Sequence, residues 1–409
     1  MQTQLAESIR STADGAEADA ILRRCVHCGF CNATCPTYQV LGNELDGPRG
    51  RIYLIKQMLE GGKVTRSTQL HLDRCLTCRA CETTCPSGVE YGKLAAIGRR
   101  EVARQVRRTP MQHVLRHLLA HVLPNAPLFN MLFRIAQRMR GVLPHIVRDK
   151  IPPRERVREW SGGSAHSRKM LLLGGCVQPA MLPNVNQATM RVLDAIGIQA
   201  VVASNAGCCG ALREHLDYHE AALDDARRNI DAWWPDIEAG AEAIVSNASG
   251  CGAMLRDYGH LLRDDPDYAE KAARVSAMAK DIGEVLACLE NELAACTHRG
   301  EIAHVAYHPP CTLQHGMRVQ GQVEHVLASL GLEVSVPVDK HLCCGSAGTY
   351  SLLQPALSYE MRKRKLEKLH ALEPQVIVSG NVGCIAHLQS GTRVPVKHWI
   401  EVVEGMLFR

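Results

Sequence analysis

Apolar residues at Ile52, Leu54, Ile55, Met58 and Leu59 recur at helical intervals, and the pattern stops at Gly61 and Gly62, so the spacing predicts a helix ending there. From Glu101 to about Met139 the pattern stays mostly helical, punctuated by Pro110 and Pro124. The stretch 144–167 is rich in Pro, Gly, Ser and charge and reads as a linker. Beyond it, short β-branched or apolar runs alternate with longer amphipathic ones. Strands are predicted at 170–173, 200–203 and 243–246, and again at 304–307, 332–336 and 375–379. Helices at 187–196 and 322–330 lie between them, each closing at a glycine, Gly197 or Gly331. Alternating strand and helix predicts parallel sheets covered by helices on both faces.

This second half repeats itself. Cys176, Cys208, Cys209 and Gly210 recur as Cys311, Cys343, Cys344 and Gly345, every pair offset by 135 residues (311 − 176, 343 − 208). Cys251 and Cys384 follow with an offset of 133 (384 − 251). Two copies of one domain are the simplest reading. The resulting fold class is multidomain α plus α/β. A mostly α-helical domain spans 1–100, a basic helical connector and linker 101–167, and two repeated α/β domains 168–300 and 301–409.

The chain has 18 cysteines, and eight of them write one spacing twice. Cys25, Cys28, Cys31, Cys35 and Pro36, then Cys75, Cys78, Cys81, Cys85 and Pro86, each read C-x₂-C-x₂-C-x₃-C-P. Bacterial-type ferredoxins hold [4Fe–4S] clusters with this spacing, the fourth thiolate of each run crossing to the other cluster. One cluster is then assigned Cys25, Cys28, Cys31 and Cys85, the other Cys75, Cys78, Cys81 and Cys35. The proline after each fourth cysteine is expected to keep the loop from continuing as helix. Zinc would need only four thiolates in two C-x₂-C pairs, and disulfides leave such regular triplets unexplained. The 40-residue step from Cys35 to Cys75 (75 − 35) exceeds that of a minimal ferredoxin and points to helices between the cluster loops.

In the repeats, Cys-Cys-Gly directs neighbouring side chains at one site only if the backbone kinks, which the glycine permits. A disulfide between neighbours would be strained, so the pair reads better as two ligands of one centre. Cys176, Cys208, Cys209 and Cys251, then Cys311, Cys343, Cys344 and Cys384, are therefore candidates for a further iron–sulfur or zinc centre, with His308, His315 and His387 near the second set.

No apolar segment reaches the length needed to cross a bilayer, and the first twenty residues read as neither signal nor transit peptide, so a reducing, cytosolic setting is expected. Charge is uneven. From Arg99 to Arg158 there are 14 Lys/Arg against three acids, +11, which with a total of +5 leaves −6 elsewhere. Such a basic segment suits an anionic membrane face or an acidic partner. Within it, Phe129, Met131, Leu132, Phe133 and Ile135 fit either a helix packed against protein or one lying in a bilayer surface. His113, His117 and His121, and likewise His215 and His219, read as polar helix faces. The chain lacks the glycine-rich nucleotide loops and the H-E-x₂-H motif, and no nucleic-acid partner is indicated.

The repeats resemble the CCG domain of heterodisulfide reductase catalytic subunits and respiratory iron–sulfur subunits. Ala248 and Asn381 stand where the fullest versions carry a further cysteine. With the tandem cluster motif, the stretch Gly47-Pro48-Arg49-Gly50-Arg51-Ile52 and the segments Tyr307 to Cys311 and Leu342 to Gly348, the whole chain resembles the glycolate oxidase iron–sulfur subunit family. That resemblance implies an electron carrier in a hetero-oligomer at the cytoplasmic face of the inner membrane, with no catalytic residue of its own. FAD would sit only on a partner 2-hydroxy-acid dehydrogenase subunit, and a quinone or other membrane acceptor would take the electrons. D-lactate or glycerol-3-phosphate dehydrogenase subunits, and a heterodisulfide-reductase-like thiol redox protein, are the alternatives.

Overall fold

The computed structural model describes residues 1–142, 148, 151–157, 162–298 and 300–407. Of the stretch read as a linker, residues 144–147, 149–150 and 158–161 lie outside the described residues. The chain divides into two compact units, Met1–Leu115 with His341–Lys365, and Arg116–Lys340 with Leu366–Arg409.

In the first unit, the helices Ala13–Arg24, Pro48–Leu59, Arg66–Asp73 and Tyr91–Gln105 surround a core that includes Ile21, Leu22, Ile52, Ile55, Leu94 and Ile97. Their starts are written locally. The Thr12 side chain accepts from Gly15 N–H, Thr65 and Thr68 form a capping box, and Pro48 occupies the first turn, where its missing N–H costs no bond. The helix read from Ile52 to Leu59 is the one at Pro48–Leu59.

Among the described residues, the connector takes in the end of the helix Tyr91–Gln105 and the helices Pro110–Val122 and Ala126–Arg138, with Pro110 opening the one and Pro124 in the break before the other. Among the described residues no helix is long and apolar enough to cross a membrane.

The second unit holds two four-stranded sheets of the same design. Strands β1 (Arg168–Leu172), β2 (Ile198–Val201), β3 (Ile244–Ser246) and β4 (Ala279–Asp281) lie in the order β2-β1-β3-β4. Strands β5 (His304–His308), β6 (Glu333–Ser335), β7 (Val376–Ser379) and β8 (Val396–His398) lie in the order β6-β5-β7-β8. Every pairing is parallel, with Leu171 opposite both Val201 and Ile244 in one sheet, and Val305 opposite both Val334 and Val376 in the other. Six of these strands overlap the predicted runs. Two of the four edge strands, β4 and β8, were not anticipated, because each has three residues with an exposed lysine, Lys280 or Lys397, at its centre. A single alternation is too short a pattern to read.

Fully buried Trp233, Tyr258 and Leu255 anchor the first repeat and Trp399 the second. The repeats are joined where their equivalent strand ends meet. Ser249 N–H donates to Gly380 O at 3.1 Å, Asn381 Nδ2 to Ser249 Oγ at 3.3 Å, and His398 Nε2 to Asn247 O at 2.7 Å.

Candidate metal centres

The two cysteine loops of the first unit share one backbone path. His27 and Gly29 in the first, and Thr77 and Arg79 in the second, adopt positive φ at equivalent positions, which wraps each loop around a common interior. Each loop then enters a short helix, Phe30–Ala33 or Ala80–Thr83. The first proline acts differently from the expectation: Pro36 opens a helix, Pro36–Leu41, because a proline at the first helical position has no donor to lose.

Two cavities result. Cys25, Cys28, Cys31 and Cys85 line one of about 420 Å³, which Cys81 also borders. Cys35, Cys75, Cys78 and Cys81 line another of about 370 Å³. Each thus gathers three thiols of one run and the last thiol of the other. Pro48 and Tyr91 border both. Backbone N–H groups point at sulfur, from Thr77 to Cys75 Sγ at 3.4 Å and from Val89 to Cys85 Sγ at 3.5 Å. Four thiols facing one space, with amide donors toward sulfur, fit an iron–sulfur cubane in each cavity.

The two cavities differ electrostatically. In the first, burial pushes the Cys31 thiol up to about 11, with Cys25 adding to it, and burial also raises Cys25. In the second, burial raises Cys81 well above the ordinary thiol range and would raise Cys75 too, but the Arg51 and Arg99 guanidinium groups outweigh it and hold Cys75 below that range.

In the second unit, Cys176 follows β1, Cys208 and Cys209 follow β2, and Cys251 follows β3, so the sheet brings all four to its carboxyl edge. Gly210, at φ 89°, turns the chain so that its N–H reaches Cys208 Sγ at 3.5 Å. Asn229 Nδ2 donates to Cys208 O at 2.8 Å and Tyr258 Oη to Cys209 O at 2.9 Å, fixing the paired cysteines. The thiols run as a hydrogen-bonded series. Bonds from Cys176 and Cys209 hold Cys208 well below the usual thiol range, while the donors are raised. Among the described residues there is no group of three or more His, Cys, Asp or Glu side chains placed to hold a single metal ion.

In the second repeat, Cys311 and Cys384 belong to the sheet unit, whereas Cys343 and Cys344 belong to the first unit with residues His341–Lys365. The same turn recurs: Gly345, at φ 90°, donates its N–H to Cys343 Sγ at 3.4 Å. His308, His315 and His387 are all buried, His308 Nδ1 lying 3.0 Å from Ser379 Oγ. The His117 and His121 rings pack at 4.1 Å on an exposed helix face, and His219 pairs with Glu214 at 2.7 Å.

The cysteine spacing left out the polar groups around the second cavity. Arg51, Asp46, His71 and Arg74 form one network there, and the only sequence signal is the run Asp46-Gly47-Pro48-Arg49-Gly50-Arg51, whose charges could equally face solvent.

Residues 21–89 match the 4Fe-4S dicluster domain family, and residues 170–256 and 305–389 each match the cysteine-rich CCG domain family. The chain is 52% identical over 407 residues to the glycolate oxidase iron–sulfur subunit of Escherichia coli (strain K12), covering 100% of this chain and 99% of that protein. It is 30% identical over 405 residues to a probable glycolate oxidase iron–sulfur subunit of Bacillus subtilis (strain 168), covering 90% and 89%. Lactate utilization protein A of Shouchella clausii is 25% identical over 238 residues, 56% of this chain and 96% of that one. A crystal structure of a hypothetical protein from Helicobacter pylori, 8% identical, shares the fold at a TM-score of 0.53 over 98% of this chain and 73% of that one. A dicluster domain followed by twin cysteine-rich domains, in a chain matched end to end by a relative of more than half identity, places this protein in the glycolate oxidase iron–sulfur subunit family.

Proposed function

We propose that the chain carries electrons, one at a time, from a flavin-containing partner subunit that oxidises glycolate to glyoxylate toward a membrane acceptor such as a quinone. The observation that carries this reading is the pair of neighbouring cavities, each gathering three thiols of one cysteine run and the last thiol of the other, and both bordered by Cys81, Pro48 and Tyr91. Cys25, Cys28, Cys31 and Cys85 would hold one cubane, and Cys75, Cys78, Cys81 and Cys35 the other. A cubane supplies a one-electron couple, so two of them divide the two electrons a flavin collects from a hydride. The chain's own part is to hold eight thiolates, aim amide donors at sulfur and limit water around them. The working division is 1–100 for the cluster domain, 101–167 for the connector, and 168–300 and 301–409 for the repeats.

The connector supports attachment at a membrane surface. On the helix Ala126–Arg138, Met131, Leu132 and Ile135 are exposed beside Arg134 and Arg138, with no acidic residue on the helix. The test is anaerobic purification of the chain with its flavoprotein partner, followed by electron paramagnetic resonance after adding glycolate, D-lactate or glycerol-3-phosphate. Cubane signals that grow with glycolate alone support the reading. Signals that respond only to D-lactate or glycerol-3-phosphate replace the donor, and iron-free material that still turns over overturns the carrier role.

A further inference from the structure

The run Asp46-Gly47-Pro48-Arg49-Gly50-Arg51 lies between the two cavities, and its charges are sorted to opposite sides. A 3₁₀ turn, Glu44–Asp46, packs against the first turn of the helix Pro48–Leu59. Gly50 makes that packing possible, since a Cβ there would lie 2.2 Å from Glu44 O. The two acids of the turn then meet alternate arginines of the helix.

Arg49 borders the first cavity and pairs with Glu44 at 2.6 Å, both side chains more than a third exposed. One charge cancels the other, and water screens both. Arg51 borders the second cavity with its side chain 1% exposed. Its Nη1 points at Cys35 Sγ at 3.9 Å, Nη2 donates to Thr37 Oγ1 at 3.1 Å, and Nε donates to His71 O at 2.8 Å. Fully buried Asp46 is shared: it lies 3.7 Å from Arg51, 3.0 Å from Arg74 and 3.0 Å from His71 Nδ1. Within this network, counting only the permanently charged arginines, two cations face one carboxylate, a net +1. Of the other cations, Arg79 also borders the second cavity, Arg99 donates to Cys75 O at 2.6 Å, and the Met1 amino group donates to Cys25 O at 2.8 Å. Arg51 is the cation that is both buried and aimed at a thiol of this site.

We propose that Arg51 makes the site of Cys35, Cys75, Cys78 and Cys81 the higher-potential of the two and so sets the direction of electron flow within the chain. A buried positive charge stabilises the reduced, more negative cluster, and it acts strongly where little water intervenes. One electron passing between the sites oxidises the first by one and reduces the second by one, with no bond or proton exchanged. This rests on the reading that both cavities hold cubanes.

The test is a redox titration of the full-length, anaerobically purified chain followed by electron paramagnetic resonance, with Cys28→Ser and Cys78→Ser assigning each wave to its site. Arg51→Met lowers the second site's midpoint so that the equilibrium constant for transfer from first to second falls about tenfold, about 59 mV for one electron. Arg51→Lys restores most of the difference. Asp46→Asn, which removes the opposing charge, moves the same midpoint upward and decides the sign independently should Arg51→Met fail to load iron. A second-site midpoint unmoved in loaded Arg51→Met, equal shifts at both sites, or a downward shift in Asp46→Asn overturns the proposal. Absence of cubane signals in the unaltered chain overturns the underlying reading instead.

Discussion

Tyr350 Oη donates to the main-chain carbonyl of Arg74 at 3.2 Å, joining positions 276 residues apart within the first unit. Arg74 directly precedes the second cysteine loop, and Tyr350 lies in the segment that bears Cys343 and Cys344. The ring is 6% exposed, so it contributes packing as well as the hydrogen bond. Tyr350→Phe should cost about 1 kcal/mol, and Tyr350→Ala about 3–5 kcal/mol, locally. Limited proteolysis reads the effect: cleavage within 341–365 should rise slightly in the first variant and strongly in the second.

The cavity linings make the fourth cysteines diagnostic. Cys85→Ser should alter the spectrum assigned to the site of Cys25, Cys28 and Cys31, while Cys35→Ser should alter that of Cys75, Cys78 and Cys81. Iron analysis with spectra of both variants checks this. Loss confined to the sequence-adjacent site in each case would rule out the crossed arrangement.

Acid should loosen the junction between the repeats through His398. The ring is fully buried, donating from Nε2 to Asn247 O and accepting at Nδ1 from Ile400 N–H, and burial lowers its pKa to about 4. Between the unfolded value near 6.5 and the folded value near 4, the unfolded chain binds more protons. This group's contribution is therefore complete above about pH 6.5 and is lost as pH falls toward 4, a change of roughly 3 kcal/mol. Urea midpoints measured from pH 7 to pH 4 should fall less steeply in His398→Gln than in the unaltered chain.

The Cys-Cys-Gly turn tolerates no side chain at its glycine. A Cβ on Gly345 would lie 2.6 Å from Ser358 O, in addition to the strain of φ +90°. Gly331, at φ +84°, has nothing within 4 Å and isolates the strain alone. Gly331→Ala should cost about 1–2 kcal/mol and Gly345→Ala clearly more, read as a larger fall in melting temperature.

Membrane attachment has a direct assay. Full-length chain should float with anionic vesicles at low salt, and Ile135→Glu, on an exposed position of the helix Ala126–Arg138, should reduce bound protein several-fold. Equal flotation of both proteins would assign that helix face another role.

The α/β repeat was legible because each copy writes three apolar or β-branched strands and a cysteine set at nearly constant offset, and strand-versus-helix periodicity is a local property of neighbouring residues. The twice-written C-x₂-C-x₂-C-x₃-C-P was legible for the same reason: loop geometry depends on spacing within a few residues. The edge strands β4 and β8 were not, since three residues around an exposed lysine become strand only when a neighbouring strand offers its hydrogen bonds. The placement of Cys343 and Cys344 with the first unit and the burial of Arg51 against Cys35 were likewise decided only by tertiary structure. Charge and ligand chemistry depend on what surrounds a group in three dimensions, and an arginine two residues from another reads identically in the sequence whether water or a buried thiol faces it.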